Sequence, residues 1–110
     1  MGEWDEGWEE IMKIIKDRDA SKRLTISVPD ITANNYNKFV KKIATVFNLK
    51  AHNKLTVGFD EIFKDYYHQD YIIGLEWDIW CGFIIVSKNK NSEKLVNEIF
   101  DWLRLNNDLM

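Results

Sequence analysis

A single cysteine, Cys81, stands in the chain of 110 residues. No intrachain disulfide can form, so the staple on which small secreted domains rely is excluded, and a reducing, cytoplasmic setting is expected. One proline, Pro29, and five glycines leave no linker-like stretch. With no internal repeat either, residues 1–110 read as one domain. No apolar run reaches the roughly 18 residues that a membrane-spanning helix needs. The start, Met1-Gly2-Glu3-Trp4-Asp5-Glu6, is acidic and has neither the basic nor the apolar region of a secretory signal. Glu6 also stands where a myristoylation motif wants Ser or Thr.

Chemistry-bearing motifs are equally scarce. His52 and His68 are the two histidines, and neither sits in a Cys/His ligand spacing or an HExxH pair. The GxSxG, GxGxxG, P-loop and CxxC patterns are absent. Cys81, at the start of an apolar run with nothing basic beside it, reads as a small buried hydrophobe rather than a nucleophile. The chain is therefore read as a non-enzyme with no cofactor and no metal.

What the chain does have is aromatic mass and blocks of charge. Aromatic residues make up 14%, five of them Trp, enough to build a core at this length. Residues 1–19 hold seven acids and three bases, 20–54 seven bases and one acid, and 55–79 six acids and one base. Such blocks are solvated faces by default, and each can also steer a partner of opposite charge.

Periodicity divides the chain into elements. Trp4, Trp8, Ile11, Met12 and Ile15 recur at helical spacing, predicting a helix over 3–18. Leu24, Ile26 and Val28 alternate with polar residues and predict a strand ended by Pro29. A helix over 33–48, capped by Asp30 or Thr32, has the stripe Tyr36, Phe39, Val40, Ile43, Val46 and Phe47. Leu55, Val57 and Phe59 predict a second strand, and 60–70 reads as a short helix or an ordered loop. Tyr71, Ile73, Leu75 and Trp77 share one face of a third strand. Residues 81–87, apolar on both faces, predict a central strand covered twice, and a helix over 92–106 follows, capped by Asn91 or Ser92. The expected fold is α+β in the order α-β-α-β-β-β-α, with helices packed on a four-stranded, mostly antiparallel sheet.

Three candidate sites follow. Glu76 and Asp78 share strand parity, and Asp60, Glu61, Asp65 and Asp70 lie nearby. Clustered carboxylates can hold a divalent cation or divide acid and base roles, although the EF-hand spacing is missing. Lys38, Lys41 and Lys42 line one helix face able to meet phosphates, but a pI near 5.3 disfavours a long polyanion, and no nucleic-acid partner is expected. The third candidate joins the acids to rings: Tyr66, Tyr67, Trp77 and Trp80 interleave with Asp60, Glu61, Asp65, Asp70, Glu76 and Asp78, and the two Trp read as either core or interface. An exposed Trp near a strand end is a typical binding anchor.

The stretch Gly74-Leu75-Glu76-Trp77-Asp78-Ile79-Trp80-Cys81-Gly82-Phe83-Ile84-Ile85-Val86-Ser87-Lys88-Asn89, followed directly by the helix from Ser92 to Leu105, resembles the C-terminal half of small bacterial immunity proteins. These are encoded beside polymorphic or contact-dependent growth inhibition toxins. The resemblance covers roughly residues 55–106 and transfers no site residue by motif. It implies a cytoplasmic toxin inhibitor, an antitoxin in the broad sense, that binds one cognate C-terminal toxin domain, often a nuclease, and covers its active site or substrate groove. The expected partner-binding residues are Asp60, Glu61, Asp65, Tyr66, Tyr67, Asp70, Glu76, Asp78 and Trp80. A small metal- or carboxylate-dependent enzyme and a homo-oligomeric regulatory domain are the competing readings.

Overall fold

A computed structural model describes residues 12–52, 55–58 and 60–106. Seven strands and two helices fall within them: β1 (Ile15–Arg18), β2 (Leu24–Val28), α1 (Tyr36–Phe47, entered through a 3-10 turn at Ala33–Asn35), β3 (Lys50–Ala51), β4 (Thr56–Val57), β5 (Glu61–His68), β6 (Tyr71–Asp78), β7 (Gly82–Ser87) and α2 (Glu93–Leu105). One sheet runs in the order β1-β2-β7-β6-β5-β3, with β4 also on β5, and every pairing is antiparallel. Among the described residues no helix is long and apolar enough to cross a membrane.

Side-chain alternation sorts this sheet into two faces. Leu24, Ile26 and Val28 of β2, Phe83 and Ile85 of β7, and Ile73 and Leu75 of β6 turn to one side and are buried. Both helices lie there. Tyr36, Phe39, Val40 and Ile43 form the buried stripe of α1, and Leu95, Val96, Ile99 and Leu103 that of α2. Phe83 is the joint: the Phe39 ring meets it edge-on at 4.8 Å and the Tyr36 ring lies 5.8 Å away. The Tyr36 hydroxyl donates to the Leu75 carbonyl, which satisfies a buried polar group. Burial pushes that phenol well above its ordinary pKa, so it stays a donor at any physiological pH. The helices meet each other where Phe47 stands edge-on to Trp102 at 6.0 Å.

The coarse α+β expectation holds, and its details change. The helix expected over 3–18 does not include its last residues: Ile15–Arg18 form β1, pairing with β2 from Ile15 opposite Ser27 to Arg18 opposite Leu24. Residues 12–14 are in no helix either, and 3–11 lie outside the described residues. In β1 the helix-side residues are charged rather than apolar. The Lys16 ammonium sits 4.3 Å from the Phe100 ring centre and bonds Asn97, while Arg18 clasps Glu93 at 2.8 and 3.2 Å. Segment 60–70 is neither helix nor loop: it supplies the long strand β5. The strand expected at 55–59 shortens to Thr56–Val57, with Phe59 outside the described residues, and Val46 stands exposed at the flank of the α1 stripe. The sheet therefore has seven strands rather than four. The chain crosses over through β2-α1-β3: both strands run parallel to β6, and the helix carries the chain across three strands.

Both sheet edges are blunted. Ala51 faces Tyr66 while Thr56 faces Phe63, so five steps along this edge match three along β5, and the ladder is broken. The opposite edge, β1, is four residues long and three of them, Lys16, Asp17 and Arg18, are charged.

Two positions test this packing. Gly82 closes the β6–β7 hairpin at φ +75, and a Cβ there would lie 2.6 Å from Pro29 Cα and 2.7 Å from the Val28 carbonyl oxygen. Gly82→Ala is expected to cost about 2 kcal/mol or more in chemical denaturation; an unchanged midpoint contradicts this account of the hairpin. The hydrogen bond and charge of Arg18 hold the Glu93 carboxyl below its usual pKa. A depressed carboxylate stabilises the fold above its unfolded-state pKa and loses that contribution as pH falls through the folded value. Wild type and Glu93→Gln should therefore differ in unfolding midpoint at neutral pH and converge in acid. A gap that persists in acid would show that the substitution disturbs something other than the charge.

Candidate functional site

Since both described helices take one face, the other face of β5, β6 and β7 carries the polar residues. In β5 it presents Glu61, Phe63, Asp65 and Tyr67; in β6, opposite them, Asp78, Glu76, Gly74 and Ile72. Sequence parity placed Glu76 and Asp78 on one side, and the register brings Glu61 and Asp65 to the same side.

Gly74 is the low point of this face. A Cβ there would stand 2.7 Å from Lys88 Cε, 2.6 Å from Glu76 Oε2 and 2.9 Å from Val86 Cγ1. The glycine leaves room for Lys88 to lie across the sheet. Its Nζ reaches Glu76 at 3.0 Å and Asp65 at 3.7 Å. The lysine stem runs above Val86, which is buried on a face that no described helix covers. This half-buried triad occupies the middle of the face and spends part of its acid internally.

The unspent chemistry gathers at one corner. There β4, the start of β5 and the β6–β7 turn converge: Val57 pairs with Ile62, Ile62 with Trp77, and the Ile79 N–H donates to the Asp60 carbonyl at 3.2 Å. Trp80 is 77% exposed, Val57 65% and Ile79 61%; Leu55 and Phe63 are exposed beside them. By strand parity Val57 shares the helix-side face with Ile62, Phe63 stands on the open face opposite Glu76, and Ile79 and Trp80 project from the turn. An exposed Trp next to an exposed Ile on a tight turn is a typical partner anchor. Two carboxylates accompany them: Glu61 and Asp78 are directly opposed across the strands, a like-charge pairing that disfavours the free protein. Asp78 also builds the turn, since its Oδ1 accepts the N–H groups of Trp80 at 3.0 Å and Cys81 at 2.6 Å. The Trp is thus displayed on a fixed loop.

Of the nine expected partner-binding residues, Asp60, Glu61, Asp78 and Trp80 meet at the corner, and Asp65, Glu76 and Tyr67 continue along the same face. Two are placed elsewhere. Tyr66 points to the helix side and packs against the core, with burial raising its phenol pKa. Asp70 lies at the far β5–β6 turn, where Asn91 donates to its carboxylate at 2.9 Å and Asn89 to its carbonyl at 2.8 Å. Trp77, read as core or interface, packs on the helix side and donates its indole N–H to the Ile31 carbonyl at 2.9 Å. Val57, Ile79, Leu55 and Phe63 were missed as surface residues. Val57 and Leu55 show in a sequence only as an alternating apolar pattern, which reads as a buried face.

The other candidates resolve into local roles. His68 Nδ1 lies 3.2 Å from the Asn48 carbonyl at the end of α1, and His52 stands edge-on to Tyr67 at 5.9 Å. Cys81, expected to be buried, is exposed in the turn. Partial desolvation and then Asp78 push its thiol pKa up, which keeps it protonated. Lys38, Lys41 and Lys42 do share the outer face of α1, around the exposed Val46. Among the described residues no three His, Cys, Asp or Glu side chains are gathered to hold a metal.

Removing the lysine at the centre of the face should expose its function. Lys88→Met keeps the stem over Val86 but leaves Asp65 and Glu76 facing each other without their shared cation. A loss of about 1 kcal/mol in urea unfolding is expected, and smaller at high salt; an unchanged stability at low salt would contradict the triad. No protein-family model matches the chain, and no curated protein or solved structure matches it.

Proposed function

We propose that this chain is a protein-binding module that neutralises a cognate toxin domain by seating the Trp80 corner in its basic substrate groove. The carrying observation is the coincidence of exposed apolar anchors and opposed carboxylates at one fixed turn: Trp80 and Ile79 beside Asp78, with Glu61 opposite it and Asp60 bonded to the turn. A nuclease groove is lined with cations because it must hold phosphates. Carboxylates on a rigid edge mimic those phosphates, and the desolvated Trp supplies most of the affinity. The opposition of Glu61 and Asp78 in the register supports the same reading. A cation inserted between them converts repulsion in the free protein into charge-assisted bonds in the complex. Long-range attraction of opposite charges brings association toward ~10⁸ M⁻¹s⁻¹ at low salt. Blunted edges argue that the partner is met by side chains rather than by an added strand.

The experiment is co-expression with the product of the neighbouring gene, scored by protection from toxicity and by co-purification. Trp80→Ala is the decisive variant because its side chain touches solvent: stability should change by less than about 0.5 kcal/mol while affinity falls by about 30-fold or more. Glu61→Lys should slow association and flatten its salt dependence. Asp78 is the poorer probe, since replacing it also dismantles the turn. A neighbouring product that is harmless, or a complex that both variants leave intact, removes this reading.

A further inference from the structure

The end of β7 away from Trp80 opens on different chemistry. The β1–β2 turn, the residues just after β7 and the first turn of α2 enclose a cleft of about 450 Å³. Arg18, Lys22, Arg23, Lys88 and Lys90 line it, against one carboxylate, Glu93. Glu93 is already clasped by both terminal nitrogens of Arg18, so it is neutralised in place. Lys88 turns its ammonium to Glu76 and Asp65 on the open face. Arg23 gives its Nε to Asp19 at 2.8 Å and has its terminal nitrogens left over. Lys22 and Lys90 are exposed and have no ion pair among the described residues. Asp19, next to Arg18 in the chain, is bonded to Arg23, and Asp70 is held by Asn91; neither lines the cleft.

The wall carrying these cations is preorganised. Asp19 Oδ1 accepts the N–H groups of Ser21 at 3.0 Å and Arg23 at 2.9 Å, and the Lys22 N–H donates to the Asp19 carbonyl at 2.8 Å. Lys22 sits at φ +66, and its carbonyl accepts from Arg18 Nη1 at 2.9 Å. The turn is thereby tied to α2 through the same arginine that clasps Glu93. A positive-φ lysine held in this way keeps a charge over the cleft that a mobile loop would release to solvent.

We propose that this cleft binds a small anion bearing two linked phosphate groups. Its volume suits a small molecule rather than a lone ion. Two ammonium groups without an ion pair among the described residues and a spare guanidinium fork carry more positive charge than the one carboxylate offsets, and the fork matches phosphate oxygens. This site does not depend on the toxin-binding proposal, because it lies at the opposite end of the sheet.

The test is titration of the full chain with inorganic pyrophosphate at constant ionic strength, followed by amide chemical shifts. Saturable shifts are expected at residues 19–23 and 87–93. The double variant K22Q/K90Q, which breaks no ion pair among the described residues, is expected to keep the wild-type melting temperature and to bind about tenfold more weakly. The proposal is overturned by shifts that never saturate, by equal responses at Lys38, Lys41 and Lys42 on α1, or by wild-type affinity in the double variant.

Discussion

The seat of Phe83 between Phe39 and Tyr36 decides which side of the sheet the helices take, and the rest of the surface follows from that choice. Phe83 is fully buried and lies across from Trp77 and Val28 in its neighbouring strands. Once α1 covers it, the alternate residues of β5, β6 and β7 must face away from both described helices. That face then tolerates Glu61, Asp65, Glu76 and Asp78, whose burial without partners would be costly. The acidic surface is thus a consequence of core packing, read through strand parity.

The same constraint produces two unlike ends. At one, the tight β6–β7 hairpin lifts Trp80 out of the core and places it beside the Glu61–Asp78 pair. At the other, β7 runs into Lys88 and Lys90 and meets the turn that carries Lys22 and Arg23. Between them Lys88 leans over Gly74 and joins Asp65 to Glu76, so the centre of the face is closer to neutral than its ends. A molecule with separated acid and base is oriented by the field of a charged partner before contact.

Strand β6 and both helices are legible in the sequence because each obeys one period, and β7 because a short apolar run bounded by turns reads as a strand. Tyr71, Ile73, Leu75 and Trp77 alternate, and the stripes of α1 and α2 recur every three to four residues. Strand β5 is not legible because it mixes the two codes. Its helix side holds Lys64 and His68 next to Ile62 and Tyr66, while its open side holds Phe63 and Tyr67 next to Glu61 and Asp65. Strand β1 fails for a related reason: Lys16 and Arg18 face α2 through Phe100 and Glu93, so charge stands where apolar residues are expected. The acidic half of the candidate corner could be read from Glu76 and Asp78. The apolar half could not, since Val57 and Leu55 mark a surface only once the edge position of β4 is known. Tyr66 went to the wrong face because assigning its side needs the register of β5.

The account rests on the corner formed by β4, the start of β5 and the β6–β7 turn being the surface that a partner covers. Hydrogen exchange of the chain alone and in the presence of the product of the neighbouring gene measures this directly. The expected footprint is slowed exchange over 56–63 and 76–82 with no change over 38–46. Protection centred on α1 or α2, with the Trp80 turn exchanging as fast as in the free chain, would contradict it.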